Sequence, residues 1–375
     1  MPKRLISIEP AWRFRNHLGQ QLEPALFDVL AAIGESGKLT EAAKRAGYSY
    51  RHSWNLLKRW SEFFGAPLAT LTQGRGARLT PLGEKLAWAA QRIHARLAPQ
   101  LDNLAAEIDL EMMRAINALT PIVRIHASYG FAVARLPQFA AEHSDVRVDL
   151  QYVGSLEAFS ALARGNCDLA GFHVPIGRGS DELRARFERN LKPRQMRVIK
   201  LVTRTQGLFL ARGNPKSVRT LADLASHDVR FINRQPQSGT RLLFDLLLAE
   251  AGVRQSSIAG YETAEFTHSA VAAFVASGMA DAGFGVQPAA AQFKLDFVPL
   301  AQEAYCLAGR DETWETPAVR TLHALIGGRK FTASVRELAG YDTIGAGKSV
   351  DPLQLMRTKL GAARPGKTGA RASAR

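Results

Sequence analysis

The stretch LTEAAKRAGYSYRHSWNLLKRWSEFFG, residues 39–65, decides how the amino-terminal part of this chain is built. Thr40 stands where an N-cap would precede a short helix, the alanines at 42, 43 and 46 allow close helix packing, and Gly47 can end the turn. Ser49 is a second N-cap candidate. After it, Ser53, Leu57, Trp60 and Phe64 share one helical face, while Tyr50, Arg51, Trp54, Asn55 and Lys58 share the other. Two short helices, a glycine turn, and a second helix apolar on one side and basic on the other predict a helix-turn-helix.

The flanks agree. Upstream, Leu22, Leu26, Val29, Leu30 and Ile33 form a helical stripe that Gly34–Gly37 interrupts. Downstream, LATLTQGRGARLT (68–80) reads as two short strands about a Gly-Arg-Gly turn, a hairpin wing. Pro81 then opens a long helix to about Leu119. Its seam is Leu82, Leu86, Ala89, Ile93, Leu97, Leu101, Leu104, Ile108 and Met112, and Pro99 is a potential kink. A helix of that length with an apolar seam needs a partner, and a second copy of the chain is the simplest, giving a homodimer or homotetramer.

Charge points the same way. The 375 residues carry 49 Lys and Arg against 34 Asp and Glu, a formal net charge of +15 and a pI near 10.1, which favours a polyanionic partner. From Lys38 to Arg78 eight bases face only Glu41 and Glu62. In such a head Arg51 and Asn55 are suited to base edges in the major groove. Lys58 and Arg59 suit phosphates, with Thr40, Ser49, Tyr50 and Trp54 beside them, and Arg75 and Arg78 on the wing reach the backbone or minor groove. Double-stranded promoter or operator DNA is the expected partner, and RNA polymerase is a further one. The second basic stretch, Arg357 to Arg375, is Gly/Ala/Ser-rich and reads as a disordered tail.

Other classes are disfavoured. Cys167 and Cys306 form no metal-ligand spacing, and their scarcity fits a reducing compartment. The polar start MPKRLISIEPAWRF lacks a signal-peptide core, and no apolar run reaches the roughly 18 residues of a membrane span, so a cytoplasmic location without membrane contact is expected. Residues 22–83, above all AAKRAGYSYRHSWNLLKRW and APLATLTQGRGARLTPLG, resemble the winged DNA-binding domain of ModE-type and LysR-type regulators.

From Pro121 the texture changes. Strand-type runs alternate with helical ones: IVRIHAS, FAVARLPQFAAEH, VRVDLQYVG, LEAFSALARG, CDLAGFHV, then VRFINRQ, SGTRLLFDLLLAEAG, SIAGYE, HSAVAAFVASG and MADAGFGV. That alternation predicts a parallel sheet with helices on both faces. RVIKLVTRTQGLFLARG could cross between two lobes flanking a cleft. Ligands in such folds sit at the carboxyl ends of strands. Candidate groups there are Ser128, Ser155, His173, the run Asn233, Arg234, Ser238, Gly239, Thr240 and Arg241, and Thr267 with His268. Convergent helix N-termini with few acids imply a small anionic effector and no cofactor. Each hydroxyl at a helix start also has a simpler reading as a cap.

The pieces CDLAGFHVP, TRTQGLFLARGNPKSVRTLADL, VRFINRQPQSGTRLLFDLLLAEAG, GYETAEFTHSAVAAFVASGMADAGFGVQPAA and LDFVPLAQEAYCL resemble a periplasmic-binding-protein-like domain. That domain occurs in molybdate-linked regulators and fused to molybdopterin-biosynthesis proteins. Gln237 departs from it, standing where that family has glycine. The expected fold class is therefore α/β: a winged helix-turn-helix (1–80), a linker helix (81–120), a two-lobed periplasmic-binding-protein-like domain (121–345) and a basic tail (346–375). The resemblance implies a one-component regulator responding to molybdate, tungstate or a small carboxylate such as formate. A molybdopterin-related enzyme module and a solute-binding protein are the alternatives. Against an enzyme stand the absence of P-loop, GxSxG or HExxH motifs and the placement of Asp168 and Asp281 at turns.

Overall fold

A computed structural model describes residues 6–9, 14–15, 21–72, 76–115, 120–177, 189, 195–226, 228–236 and 238–357. A two-residue pair, β1 (Phe14–Arg15) with β2 (Gln21–Leu22), precedes α1 (Ala25–Ser36). Leu22 is thus a strand residue rather than the start of the helix, because Pro24 fixes the entry and the helix runs on from Ala25. Leu26, Val29, Leu30 and Ile33 are buried as the stripe requires. The helix continues through Gly34 and ends where Gly37 adopts a left-handed conformation, φ 66°.

Next come α2 (Leu39–Arg45) and α3 (Tyr50–Phe64). Thr40 is not the cap of α2: it is the second residue inside the helix, and Lys38 holds the cap position without a side-chain bond. Ser49 does cap α3, its Oγ accepting from His52 N at 3.1 Å. Trp60, fully buried, packs edge-on to Phe27 of α1 and fixes α3 against it. Strands β3 (Ala69–Thr72) and β4 (Gly76–Leu79) make the expected antiparallel wing, and α4 (Pro81–Ala115) follows. Residues 116–119, where that helix was expected to end, lie outside the described residues.

The remainder is β5 (Ile122–Ala127), α5 (Leu136–His143), β6 (Arg147–Tyr152), α6 (Ser155–Arg164), β7 (Leu169–Pro175), β8 (Met196–Leu210), β9 (Phe231–Arg234), α7 (Gly239–Glu250), β10 (Ala264–Glu265), α8 (His268–Ala276), β11 (Ala282–Val286), α9 (Gln287–Gln292), β12 (Asp296–Arg310), α10 (Asp311–Trp314), α11 (Pro317–Gly327), α12 (Arg329–Arg336), β13 (Tyr341–Asp342) and α13 (Pro352–Arg357). Their strands form one sheet in the order β10-β9-β11-β8-β12-β7-β5-β6, with β13 on β8.

The expectation of a purely parallel sheet needs correction. Pairing is parallel within each half, β6-β5-β7 and β10-β9-β11, but β8 and β12 are 15-residue antiparallel strands that run through both halves. One crossing strand alone would leave a single tether, whereas the return strand β12 makes the connection a ladder. SIAGYE (257–262) is a run of turns after the 3-10 helix Gln255–Ser257 rather than a strand. Each half packs apolar residues on both faces of its sheet, the first around Ile125 and Phe172, the second around Phe284 and Val271.

The halves repeat one detail. Arg124 donates through N and Nη2 to Asp168 at 2.8 Å each, and Arg230 does the same to Asp281 at 2.8 and 2.9 Å. These bidentate clips explain both aspartates as structural.

The chain after Gly345 is also corrected, in its first part. Lys200 N donates to Lys348 O, Val350 N donates to Val198 O, and Met356 of α13 is buried. Residues 347–350 are therefore an added edge on β8 and α13 packs beside β7, and only 358–375 of the proposed tail lie outside the described residues.

Candidate functional site: a basic head and a buried polar cluster between two lobes

The head is built so that its buried face leaves a polar face outward. Along α3, Ser53, Leu56, Leu57 and Trp60 are buried, and Arg51, Asn55 and Lys58 are exposed. Tyr50 is 52% and Trp54 40% exposed, unusual for rings on a stable helix, and the Lys58 ammonium lies over the Trp54 ring at 5.8 Å. Thr40 and Ser49 are exposed near the starts of α2 and α3, and Arg78 is exposed on β4. Arg75 falls outside the described residues. Arg59 is bound to Glu23 and Arg45 to Glu35 and Glu41, so these bases are already partnered.

In the second half, strand register decides the site. The end of β7 (Pro175) lies opposite Glu303 of β12, Glu303 opposite Arg204 of β8, and the end of β11 (Val286) opposite Gln206. The carboxyl ends of both parallel sets thus converge on the middle of the two crossing strands. Three polar side chains sit there, each at most 1% exposed: Arg204, Gln206 and Glu303. Glu303 Oε1 accepts from Arg204 Nε at 2.5 Å and Gln206 Nε2 at 2.6 Å, and Arg204 Nη2 closes the ion pair.

The sequence reading missed this trio. The signal was an arginine and a glutamine interrupting the apolar run of β8, and a glutamate in the apolar run of β12. A buried charge must be paired, so opposite charges in two core strands predict each other.

Around the trio stand several expected residues. Ser128 Oγ is 3.0 Å from His173 Nδ1, and the Tyr305 hydroxyl donates to Ser128 O at 2.6 Å. The His173 ring packs against Tyr305 with centroids 4.6 Å apart. His268, 2% exposed, and Arg234, 7% exposed, close the other side. Burial, reinforced by Arg204 and Arg234, keeps both imidazoles well below their ordinary titration range. Burial with Arg204's charge brings the Arg234 guanidinium down to about 9. Burial also opposes the charge of Arg204, but Glu303 holds that guanidinium above its ordinary value.

Several buried polar atoms here have no hydrogen-bond partner: His173 Nε2, Gln206 Oε1 and His268 Nδ1, while Arg204 and the Tyr341 hydroxyl have each other close by. Such atoms are costly unless something fills the gap, so their convergence makes this cluster the candidate ligand site.

Other expected residues have different roles. Asn233 donates to Tyr261 O and accepts from Arg234 N. Ser238 caps α7, accepting from Arg241 N, with Gly239 and Thr240 in the first turn behind it. Arg241 is turned away, lying 3.8 Å over the Tyr261 ring and bonded to Asp245, so it is not free to neutralise a bound anion. Ser155 opens α6 without capping it, because Gly154 holds that position. Thr267 caps α8 through Ala270 N and also donates to Ala95 O of α4 at 2.8 Å. Gln237 lies outside the described residues.

That last bond is one of several docking α4 across the cluster. Its first part meets the second lobe through Lys85 to Ser277 O, Trp88 on Phe293 and Arg96 to Glu265. Its last part meets the first lobe through Asn103, which exchanges bonds with Tyr152 at 3.0 and 2.7 Å, and Asp109, paired with Arg147. Pro99 lies between the two docking segments. Along the seam, Leu104, Ile108 and Met112 are 49%, 42% and 57% exposed. No helix among the described residues is long and apolar enough to cross a membrane.

Residues 136–327 match the PBP superfamily domain, and residues 25–84 match the bacterial regulatory helix-turn-helix protein of the lysR family. The uncharacterized protein YvgK of Bacillus subtilis is 32% identical over 200 residues, 53% of this chain and 64% of its own length. The molybdenum-pterin-binding protein MopB of Rhodobacter capsulatus is 33% identical over 96 residues, 24% of this chain and 36% of MopB. The molybdenum transport protein ModE of Herbaspirillum seropedicae is 38% identical over 73 residues, 18% of this chain and 27% of ModE. The chain therefore spans less than two thirds of each of these relatives.

Proposed function

We propose that this chain, which belongs to the PBP superfamily and carries a lysR-family helix-turn-helix at its amino end, is a transcriptional regulator that binds DNA and answers to a small anion. One observation carries the reading: the helix that holds the head in place is the same helix that bridges the two lobes on either side of the polar cluster. Ala87 of α4 belongs to the head's core, while Lys85 and Asn103 bond opposite lobes.

In this reading the first turns of α3 enter the major groove. Arg51 and Asn55 read base edges, Tyr50 and Trp54 offer apolar contact, and Lys58, Arg75 and Arg78, with the hydroxyls of Thr40 and Ser49, hold phosphates. Two copies join along the exposed seam of α4, so two heads meet one operator. The anion sits against Arg204 and Arg234 with Ser128, His173 and His268. Its closing of the hinge shifts the two docking segments of α4 relative to each other, which turns the head. Such coupling needs an effector that prefers one lobe arrangement, typically by about 1–3 kcal/mol. The molybdenum in the names of MopB and ModE makes molybdate a candidate, beside tungstate and small carboxylates such as formate.

The test is fluorescence anisotropy on fragments of the chain's own upstream region. Arg51→Ala with Asn55→Ala is expected to remove sequence preference, about 1–3 kcal/mol per lost bidentate contact. Lys58→Ala is expected to weaken all sequences alike and to lower the salt slope by about 0.9. An unchanged preference in the double variant would refute the assignment of α3.

A further inference from the structure

We infer, resting on the cleft reading above, that the effector is a small singly charged carboxylate bearing its own O–H or N–H donor, not a doubly charged tetrahedral oxyanion. Two independent observations carry this. The first is the charge inventory. Arg204 and Arg234 are buried cations, Glu303 is the buried carboxylate bonded among them, and His173 and His268 are held neutral. Glu265, the nearest acid on β10, is paired with Arg96 of α4 at 3.4 Å. Among the described residues the cluster thus carries one uncompensated positive charge. A monoanion cancels it, whereas a dianion leaves a buried negative charge with no partner.

The second observation is the wiring of Gln206. Its Nε2 lies 2.6 Å from Glu303 Oε1, and a carboxylate oxygen can only accept, so the orientation of the amide is fixed. Gln206 Oε1 is then the free end, buried and without a partner, and it calls for a donor. Molybdate, tungstate and sulfate bring acceptors alone and would set oxygen against oxygen.

Two residues away on the same strand face, Arg204 Nη1 is a buried cationic donor whose guanidinium has Tyr341 beside it and, among the described residues, no second carboxylate. It lies beside Gly130, where a Cβ would stand 3.4 Å from Nη1 and 3.1 Å from the Tyr305 ring, so a larger residue would close that approach. A cationic donor and a free acceptor therefore flank one Glu303 oxygen. A carboxylate on Arg204 with a hydroxyl or N–H on the next atom toward Gln206 satisfies both, and the neutral imidazoles adapt their tautomers to the rest.

The experiment measures calorimetric affinity and thermal shift of the full-length chain at matched ionic strength for three sets of anions. Glycolate, lactate and pyrrole-2-carboxylate carry a donor, acetate and formate do not, and molybdate, tungstate and sulfate are dianions. The expected order is donor-bearing monoanions first, by about fivefold or more over bare carboxylates, with dianions weakest. In Gln206→Met the advantage of glycolate over acetate disappears. Tighter binding of molybdate or tungstate overturns the inference, as does an advantage that survives in Gln206→Met. If anions bind without regard to charge or donor, this inference alone fails. If none binds while DNA binding persists, the cleft reading fails with it. The wild-type series decides by itself should the variant not fold.

Discussion

The hydroxyl of Thr267 donates to the carbonyl of Ala95, 172 residues earlier in the chain, at 2.8 Å. Ala95 O is the carbonyl that the residue four positions on would normally satisfy, but that residue is Pro99, which has no N–H. A lobe residue thus replaces the helix bond that a proline removed, at the point where α4 passes from one lobe to the other. Thr267→Val is expected to cost about 2–3 kcal/mol, combining a lost N-cap with an orphaned buried carbonyl. With Pro99→Ala the new N–H can satisfy Ala95 O, and the same change should cost about 1 kcal/mol less. A chemical-denaturation cycle on the four proteins measures that coupling, and strict additivity would rule the latch out.

The seam of α4 supports a second expectation. Leu104→Glu with Ile108→Glu places charges on a stripe that is exposed among the described residues. Sedimentation should then show monomers where the parent chain sediments as a dimer or larger. Thermal stability measured at concentrations where the parent dissociates should change little, since both positions are exposed in the single chain. Retained assembly would place the interface elsewhere.

Acid should destabilise the fold through two named groups. His173 and His268 are held neutral in the folded chain, well below the usual value near 6.5, first by burial and then by the arginines. The unfolded chain binds protons at both sites once pH falls through about 6.5, while the folded chain does not. Stability contributed at these sites is therefore full above that pH and declines below it. His268→Gln should flatten the decline in urea titrations between pH 7 and 5. An equally steep decline in the variant would show that other groups are responsible.

Ending the chain at Gly345 removes the backbone pairing of Lys348 and Val350 with β8 and uncovers the seat of Met356. Burial of one such side chain is worth about 1.5–3 kcal/mol. A loss of that order or more is expected from thermal or urea unfolding. Ending the chain after Arg357 should leave stability unchanged.

How much of this was legible beforehand follows from range along the chain. The head was readable because its determinants are local. The cap at Ser49, the two faces of α3 and the wing depend on spacings of three, four or two residues, and the structure repeats them. Thr40 misled because a hydroxyl near a helix start fits equally well at the cap or two residues inside, and only backbone geometry separates the two. Of the expected helix-start hydroxyls, Ser155, Ser238 and Thr267 do stand at helix starts, Ser128 lies in the loop before the turn at Val133, and Ser238 and Thr267 spend their oxygens as caps.

The sequence by itself determined the order of the parts, the basic face of the head and the apolar seam of α4, since periodicity and charge along a continuous segment are enough to set them. The tertiary structure alone decided that Arg204, Gln206 and Glu303 form the heart of the cleft and that Thr267 holds Ala95. Those partners lie about a hundred or more residues apart. They meet only because two long antiparallel strands bring the ends of both parallel sets to one line, where burial forces every charge to find its counterpart.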